Sequence, residues 1–292
     1  MEKIIDNGIN SIRVGIEDYE QGLEEGNDAR LSSAVRNVFA GILILAKGKL
    51  YKMSPAGTGG ILTRAVRPII VDGNLEWAQN GNKTIGYDGI KERFNQLSLS
   101  LDWKKLERVR TIRNDLEHFY HDGTRLNVQE ALSDAEIVIH SLLELLDLDP
   151  IHDLGERWWR VLLENKNLYD KSFEACRRTF SELNWINNTA EAASEFFNCE
   201  ECGSFLIEQI NPANNEQEDV HVKCAVCGAE SEIGPLMERA VSEQYAWEQY
   251  LVHTDGNDPP FMQCSVCSLF TLLSEANECA VCGSSEIGRA HV

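Results

Sequence analysis

Eight of the nine cysteines form four Cys-x-x-Cys pairs in the C-terminal third of the chain. The pairs are Cys199/Cys202, Cys224/Cys227, Cys264/Cys267 and Cys279/Cys282. Two intervening residues let both thiolates of a pair face one metal ion, and two pairs complete a tetrahedral site of four sulfurs. Gly228 and Gly283 follow the second pair of each set and suit the tight turn of a zinc knuckle. The spacing predicts two zinc ribbons, Cys199–Cys227 and Cys264–Cys282, each holding one Zn2+.

Disulfides or a redox Cys-x-x-Cys site are the alternatives to zinc. Disulfides need an oxidising compartment, which nothing in the sequence indicates, and a redox site needs one pair at a helix start, not four pairs in series. Four thiolates leave no open position for substrate, so the predicted zinc ions are structural and no catalytic metal is expected. His221 could replace a ligand but fits a surface residue better, and the lone Cys176 fits a partly buried apolar position.

A second set of residues, Arg113, Asn114 and His118, could cleave RNA without a metal. A histidine of near-neutral pKa can take the proton of the RNA 2′-OH as general base, and a guanidinium can bind the attacked phosphate at two points. Asn114 and His118 share a helix face, whereas Arg113 and His118 are about 140° apart, which favours a site shared by two copies. The alternative is a surface ion pair between Arg113 and Glu117.

This Arg-x4-His pattern resembles the HEPN superfamily, and Ser32–Lys49 resembles the second HEPN helix. The resemblance covers roughly residues 5–150. It implies a homodimeric, metal-independent endoribonuclease that acts as a toxin or in antiviral defence. Some members carry Arg-x4-His-x-Tyr, as here with Tyr120, and a separate nucleotidyltransferase antitoxin silences them by adenylylating that tyrosine. The zinc ribbons depart from those minimal toxins.

Helical periodicity of apolar residues dominates the first two-thirds of the chain. We predict a mainly α fold, with an up-and-down HEPN-like helical bundle over residues 1–150 and a helical connector over 151–197. Residues 61–86 are ambiguous and could form a short hairpin. Two small β-rich zinc ribbons follow at 198–235 and 259–286, separated by a helical linker at 236–258.

The formal net charge of −20 argues against nucleic-acid binding by the chain as a whole, but the charge is uneven. Residues 199–286 hold 16 acidic residues and two Lys or Arg, whereas residues 1–198 hold 31 and 24. Basic residues cluster before Arg113 and are predicted to contact RNA, or else form a solvated face: Lys104, Lys105, Arg108 and Arg110. The acidity of the ribbons predicts a protein partner, with self-assembly or mimicry that occupies the basic cleft as the alternatives.

The chain lacks a recognisable N-terminal signal, and its longest apolar stretch, Val38–Ala46, is too short to span a bilayer. We therefore expect a cytoplasmic protein without membrane contact. Residues 287–292 resemble a translated sequencing adapter and are expected to be an artefact. The alternative to the ribonuclease is a non-catalytic HEPN and zinc-ribbon adaptor that binds RNA or protein.

Overall fold

The structure is a computed structural model of the 292-residue chain, and it describes residues 2–118, 124–256 and 258–285. Within these ranges seven side chains are not described: those of Glu2, Glu76, Trp77, His118, Thr124, His253 and Asp255. The chain forms two compact units that divide between Tyr169 and Asp170. We call them the helical unit and the cysteine unit. The described part is mainly α-helical with small antiparallel sheets, which confirms the coarse fold class predicted from the sequence.

Long helices connected by short segments build the helical unit. They are α1 (Glu2–Glu25), α2 (Asp28–Met53), α3 (Tyr87–Gln96), α4 (Trp103–His118), α5 (Thr124–Leu145) and, after a π-helical turn at Pro150–Gly155, the first part of α6 (Glu156–Arg178). The boundary between the two units falls inside α6. α2 starts directly after Asn27, whose side chain accepts a hydrogen bond from the backbone N–H of Arg30 at 3.3 Å. This is the capping interaction that asparagine provides at helix starts.

α2 is the central helix of the helical unit and packs against α1, α4 and α5. Its apolar side chains recur at helical spacing and are buried in the core: Leu31, Val35, Val38, Ile42 and Leu45. By length and composition alone α2 could cross a membrane, but half of that apolar stretch is buried within the unit. Burial against neighbouring helices is typical of a core helix.

α1 and α2 approach each other closely because glycines of α1 recur every seven residues. The glycines are Gly8, Gly15 and Gly22, and the α2 residues that face them are Leu45, Val38 and Leu31. A Cβ atom on Gly15 would lie 2.7 Å from the Cγ2 atom of Val38 and 2.8 Å from the carbonyl oxygen of Ala34. Residues seven apart return to nearly the same side of a helix, so the three glycines form one strip, the glycine strip, against which α2 packs.

An antiparallel hairpin follows α2, formed by β1 (Arg64–Val71) and β2 (Asn74–Thr84). The two loop residues, Asp72 and Gly73, have positive φ angles of 50° and 80°. Two-residue hairpin loops require this backbone and favour Asp-Gly. The interpretation of the ambiguous region as a hairpin is therefore confirmed.

The cysteine unit contains α7 (Asn188–Ser194), α8 (Ile233–Gln244), α9 (Ala246–Asp255) and two three-stranded antiparallel sheets. The first sheet comprises β3 (Ile207–Gln209), β4 (His221–Cys224) and β5 (Glu230–Glu232). The second comprises β6 (Phe261–Met262), β7 (Leu272–Leu273) and β8 (Glu278–Cys279). Each sheet lies within or directly beside one predicted ribbon, and we call these regions the first ribbon and the second ribbon.

Candidate metal centres and the Arg113 helix

All four Cys-x-x-Cys pairs fold into the same turn, which we call a knuckle. In each knuckle the backbone N–H four residues after the first cysteine donates to the carbonyl oxygen of that cysteine, at 2.9 to 3.0 Å. The residue after the second cysteine has a φ between 65° and 76°. These residues are Gly203, Gly228, Ser268 and Gly283. The left-handed backbone at this position lets the chain turn back beneath the two sulfurs.

The knuckles bring the sulfurs together in two groups of four. The first cluster is Cys199, Cys202, Cys224 and Cys227, and the second cluster is Cys264, Cys267, Cys279 and Cys282. Within each cluster the sulfurs lie within 4.8 Å of one another. The Sγ atoms of Cys199 and Cys227 are 3.5 Å apart, and those of Cys264 and Cys282 are 3.6 Å apart.

These distances fit a metal and do not fit disulfides. Tetrahedral zinc with Zn–S bonds of about 2.3 Å places its sulfurs about 3.8 Å from one another, whereas the sulfurs of a disulfide are about 2.0 Å apart. The cysteines of the described residues are all free thiols. Both clusters are therefore geometrically suited to bind zinc, and the predicted ligand sets are brought together as the sequence indicated.

Backbone N–H groups point at the sulfurs of the knuckles. The N–H groups of Val226, Val266 and Val281 each lie 3.4 Å from the Sγ atom of the cysteine two residues before them. Such hydrogen bonds stabilise a thiolate and hold a metal ligand in one orientation. The local turn thus positions each sulfur and also favours its charged form.

In each cluster the pKa of one thiol is lowered and the pKa of at least one other is raised. Hydrogen bonds from Cys202 and Cys224 lower the pKa of Cys199, whereas the contact with Cys199, together with burial, raises the pKa of Cys224 to about 12. In the second cluster, burial raises the pKa of Cys267 to about 12. Burial also opposes ionisation of Cys264, but hydrogen bonds from Ser284 and from backbone N–H groups lower its pKa to about 6. One thiolate forms easily and further ones need positive charge, which a bound Zn2+ would supply.

Hydroxyl groups lie against the sulfurs of the second cluster. The Oγ1 atom of Thr271, which is fully buried, lies 3.2 Å from the Sγ atom of Cys279. The Oγ atom of Ser284 lies 3.1 Å from the Sγ atom of Cys264 and 3.0 Å from that of Cys282. Three of the four sulfurs of this cluster therefore have a hydroxyl within hydrogen-bonding distance.

Three contacts from outside the second ribbon hold its backbone in place. The buried side chain of Gln217 donates to the carbonyl oxygen of Ala280 at 2.8 Å, and Asn187 donates to that of Cys279 at 3.1 Å. The carboxylate of Glu238 on α8 accepts from the backbone N–H of Phe270 at 2.7 Å. The second ribbon is thus attached to the rest of the cysteine unit through its second knuckle and through Phe270.

Arg113 and Asn114 lie together near the end of α4. The guanidinium of Arg113 donates to the Oδ1 atom of Asn114 at 2.7 Å and pairs with the carboxylate of Glu117 at 3.3 Å. It also lies over the ring of Phe39 at 5.7 Å. The predicted alternative, an Arg113–Glu117 ion pair, is present, and Arg113 and Asn114 are in direct contact as well.

His118 ends α4, and its side chain lies outside the described residues. Tyr120, the predicted modification site, lies outside them altogether. Of the three predicted catalytic residues, the structure therefore describes Arg113 and Asn114 with their side chains and His118 by its backbone alone.

The basic residues predicted to contact RNA make contacts within the helical unit. Arg108 forms a two-point contact with Asp134 on α5 at 2.7 and 2.6 Å, and Lys105 contacts the same carboxylate at 3.2 Å. Arg110 pairs with Glu107 and lies over the ring of Tyr87 at 4.6 Å. Lys104 also makes an interaction. Sequence reasoning missed Asp134, which is buried and 26 residues from Arg108 along the chain, so local spacing does not indicate the pair.

His221 and Cys176 occupy the positions that the sequence favoured. His221 is exposed on β4 and is absent from the four-sulfur clusters. Cys176 is buried on α6, and this burial raises its pKa to about 11. A thiol of such high pKa is a poor nucleophile.

Comparison of the chain with models of known protein families, with curated proteins and with solved structures finds no match. These comparisons add no function to either unit. What the protein does is therefore argued from its own residues.

Proposed function

We propose that the protein is a metal-independent endoribonuclease of HEPN type whose cysteine unit is folded around two structural zinc ions. Arg113 carries the catalytic part of this proposal, because its guanidinium is held at the end of α4, next to Asn114 and one helical turn and a half from His118. The four-sulfur geometry of the two clusters supports the zinc part. The proposal has two halves, and each has its own test.

The zinc half predicts two metal ions per chain. Purified protein should contain two equivalents of zinc, and Cys202→Ser and Cys267→Ser should each remove one of them, since a site of three sulfurs binds zinc more weakly. Cys176→Ser is the matched control and should keep both ions, because Cys176 lies outside the clusters. Elemental analysis of the purified proteins measures this. Zinc-free wild type with an intact fold would contradict it.

Arg113 keeps donors available for a phosphate. Its described contacts use the Nε–H and one N–H of Nη1, out of five N–H donors on a guanidinium. The remaining donors lie on the edge formed by Nη1 and Nη2, which can bind a phosphate at two points. The side chain is 33 % exposed, so solvent can reach it. Glu117 and Asn114 hold the guanidinium through Nε and Nη1, and their contacts leave both N–H groups of Nη2 for a phosphate.

The proposed reaction is transphosphorylation within the RNA. His118 accepts the proton of the 2′-OH, the 2′ oxygen bonds to phosphorus, and the bond to the 5′ oxygen of the next nucleotide breaks. The leaving 5′ oxygen takes a proton from water, which gives a 2′,3′-cyclic phosphate and a 5′-OH. Arg113 stabilises the charge that builds on the phosphate. Because Arg113 and His118 are five residues apart on one helix, a second copy is expected to complete the site.

The test is RNA cleavage without added metal, with wild type compared to Arg113→Ala and His118→Ala. Both variants should lose activity by about a hundredfold or more while keeping two zinc ions and wild-type helix content. His152→Ala is the control, because His152 is 87 % exposed and lies on the π-helical turn. Cleavage that persists in His118→Ala, or that requires added metal, would refute the mechanism.

A non-catalytic adaptor is the second candidate, and one observation favours it. Lys105 and Arg108 pair with the buried Asp134, so they offer less charge to RNA than the sequence suggests. The adaptor predicts no cleavage by wild type under conditions in which the two zinc ions remain bound.

A further inference from the structure

Two stacked aromatic side chains are exposed on α9. Trp247 is 65 % exposed and Tyr250 is 56 % exposed. Their ring centroids are 5.6 Å apart with an interplanar angle of 23°. Residues three apart lie on one helix face, so the rings form a continuous surface, which we call the aromatic pair. Trp and Tyr are enriched among residues that dominate binding energies, and a large aromatic surface left in water indicates a binding site.

The segment that contains α9 and the second ribbon is acidic. Residues 240–285 contain six Asp or Glu and no Lys or Arg. Tyr245, directly before α9, packs against Phe261 of the second ribbon with ring centroids 6.3 Å apart. Burial raises the pKa of Tyr245, and the carboxylates of Glu275 and Glu248 raise it further. The carboxylates of Glu275 and Glu248 therefore lie near Tyr245, which is two residues before Trp247.

The charge of the chain argues against a second copy as the molecule that binds the aromatic pair. Residues 170–285 hold 20 acidic residues and five Lys or Arg, a balance of −15. Residues 1–169 hold 26 acidic residues and 21 Lys or Arg, a balance of −5. Zinc bound by four thiolates would add about −2 at each cluster. Each unit thus repels the cysteine unit of another copy, whereas a basic segment of a different protein is attracted to it.

We propose that the aromatic pair binds an arginine-containing basic segment of a partner protein. An arginine side chain stacks on Trp247 and Tyr250, and neighbouring basic residues of the segment pair with Glu248 and Glu275. A guanidinium stacks on aromatic rings and pairs with carboxylates at the same time, which a lysine ammonium does less well. This site does not depend on the proposed ribonuclease activity.

The experiment measures binding of short fluorescein-labelled peptides to the full zinc-loaded protein by fluorescence anisotropy. The peptides alternate serine with arginine, lysine or glutamate. We expect the arginine peptide to bind most tightly, the lysine peptide more weakly and the glutamate peptide not at all. Added salt should weaken binding. Trp247→Ala should weaken binding of the arginine peptide about tenfold, and Trp247→Phe should retain part of the affinity.

Ile210→Ala is the matched control, because Ile210 is an exposed apolar residue of the first ribbon, 46 % exposed, in the same acidic unit. It should leave the affinity unchanged. Zinc content and helix content of each variant show whether it is folded. An arginine-peptide affinity that is equal in wild type and in folded Trp247→Ala or Trp247→Phe would overturn the proposal. Self-association of the wild type that Trp247→Ala abolishes, without peptide binding, would instead assign the surface to a second copy.

Discussion

The first and second clusters share their knuckle turns but differ in what surrounds them. The first cluster lies beside a sheet of three- and four-residue strands and a set of buried apolar side chains: Leu206, Ile207, Val220, Val222, Val226 and Ile233. The second lies beside strands of two residues each and buries fewer apolar side chains apart from its cysteines: Phe261, Leu272, Leu273 and Ala280. The cluster of buried residues at the metal site is Cys264, Leu272 and Cys279, so predicted ligands make up a larger part of the core in the second ribbon.

This difference indicates how much the stability of each ribbon depends on its metal. Burial of an apolar core stabilises a ribbon whether or not zinc is bound. A ribbon with a smaller apolar core that includes its predicted ligands depends more on the metal, and part of the binding free energy is then used to order the chain. We therefore expect the second cluster to bind zinc with the lower net affinity.

The largest expected effect is sequential loss of zinc to a chelator. As the chelator concentration rises, the second cluster should lose its zinc first, at least about tenfold earlier than the first, a difference of about 1.4 kcal/mol. Cys267→Ser and Cys202→Ser proteins, each with one ion left, identify which cluster releases it. Simultaneous release from both clusters would show that the surrounding core makes no difference.

Removal of the Gln217 amide should weaken the second ribbon from outside. Gln217 is 3 % exposed, donates to Ala280 and accepts from the backbone N–H of Ile186 at 3.1 Å. Gln217→Ala leaves both backbone groups without this partner, which costs about 1 kcal/mol. We expect the variant to release zinc faster from the second cluster, measured by a colorimetric chelator.

Gln209→Ala is a close control for that experiment. Gln209 is also 3 % exposed, but its side chain donates to Thr179 at 2.6 Å, outside the second ribbon. It should lower overall stability without a selective change in the release rate of the second zinc ion. Equal release rates in the two variants would mean that Gln217 does not stabilise the second ribbon in particular.

The smallest expected effects arise at the residue that closes each knuckle. Gly228 in the first ribbon has a φ of 76°, so Gly228→Ala should destabilise that ribbon by about 1 kcal/mol. Ser268 in the second ribbon has a φ of 65°, and Ser268→Gly should stabilise it by about 0.5 kcal/mol. Denaturant unfolding followed with the zinc ions bound measures both. Changes of the same sign would disprove the proposed role of the backbone angle.

The metal sites were predictable because their information is local. Each Cys-x-x-Cys pair forms its own turn, and glycine after the second cysteine indicates the left-handed position. Gly203 carries the same signal and could have been used, whereas Ser268 has no such signal because its φ is visible only in the folded turn. The Asp72-Gly73 loop of the hairpin is readable for the same local reason.

The surroundings of Arg113 were not predictable because they depend on packing between helices. The contact of Arg108 with Asp134 joins α4 to α5, and the contact of Arg113 with Phe39 joins α4 to α2. Sequence spacing indicated the faces of α4 but not which arginine would meet a buried carboxylate. A cluster of basic residues on one helix therefore does not by itself predict a basic surface, because a neighbouring helix can supply a carboxylate that pairs with it.

The glycine strip of α1 affects how genetic data on this protein should be interpreted. At Gly8 and Gly15 even one added methyl group would push apart two backbones that are in contact, far along the chain from any cysteine. Substitutions there are expected to abolish function as completely as substitutions of ligands or of His118. A mutational screen would thus report these glycines as essential, and only a measurement of folding would show that they act by letting α1 and α2 meet.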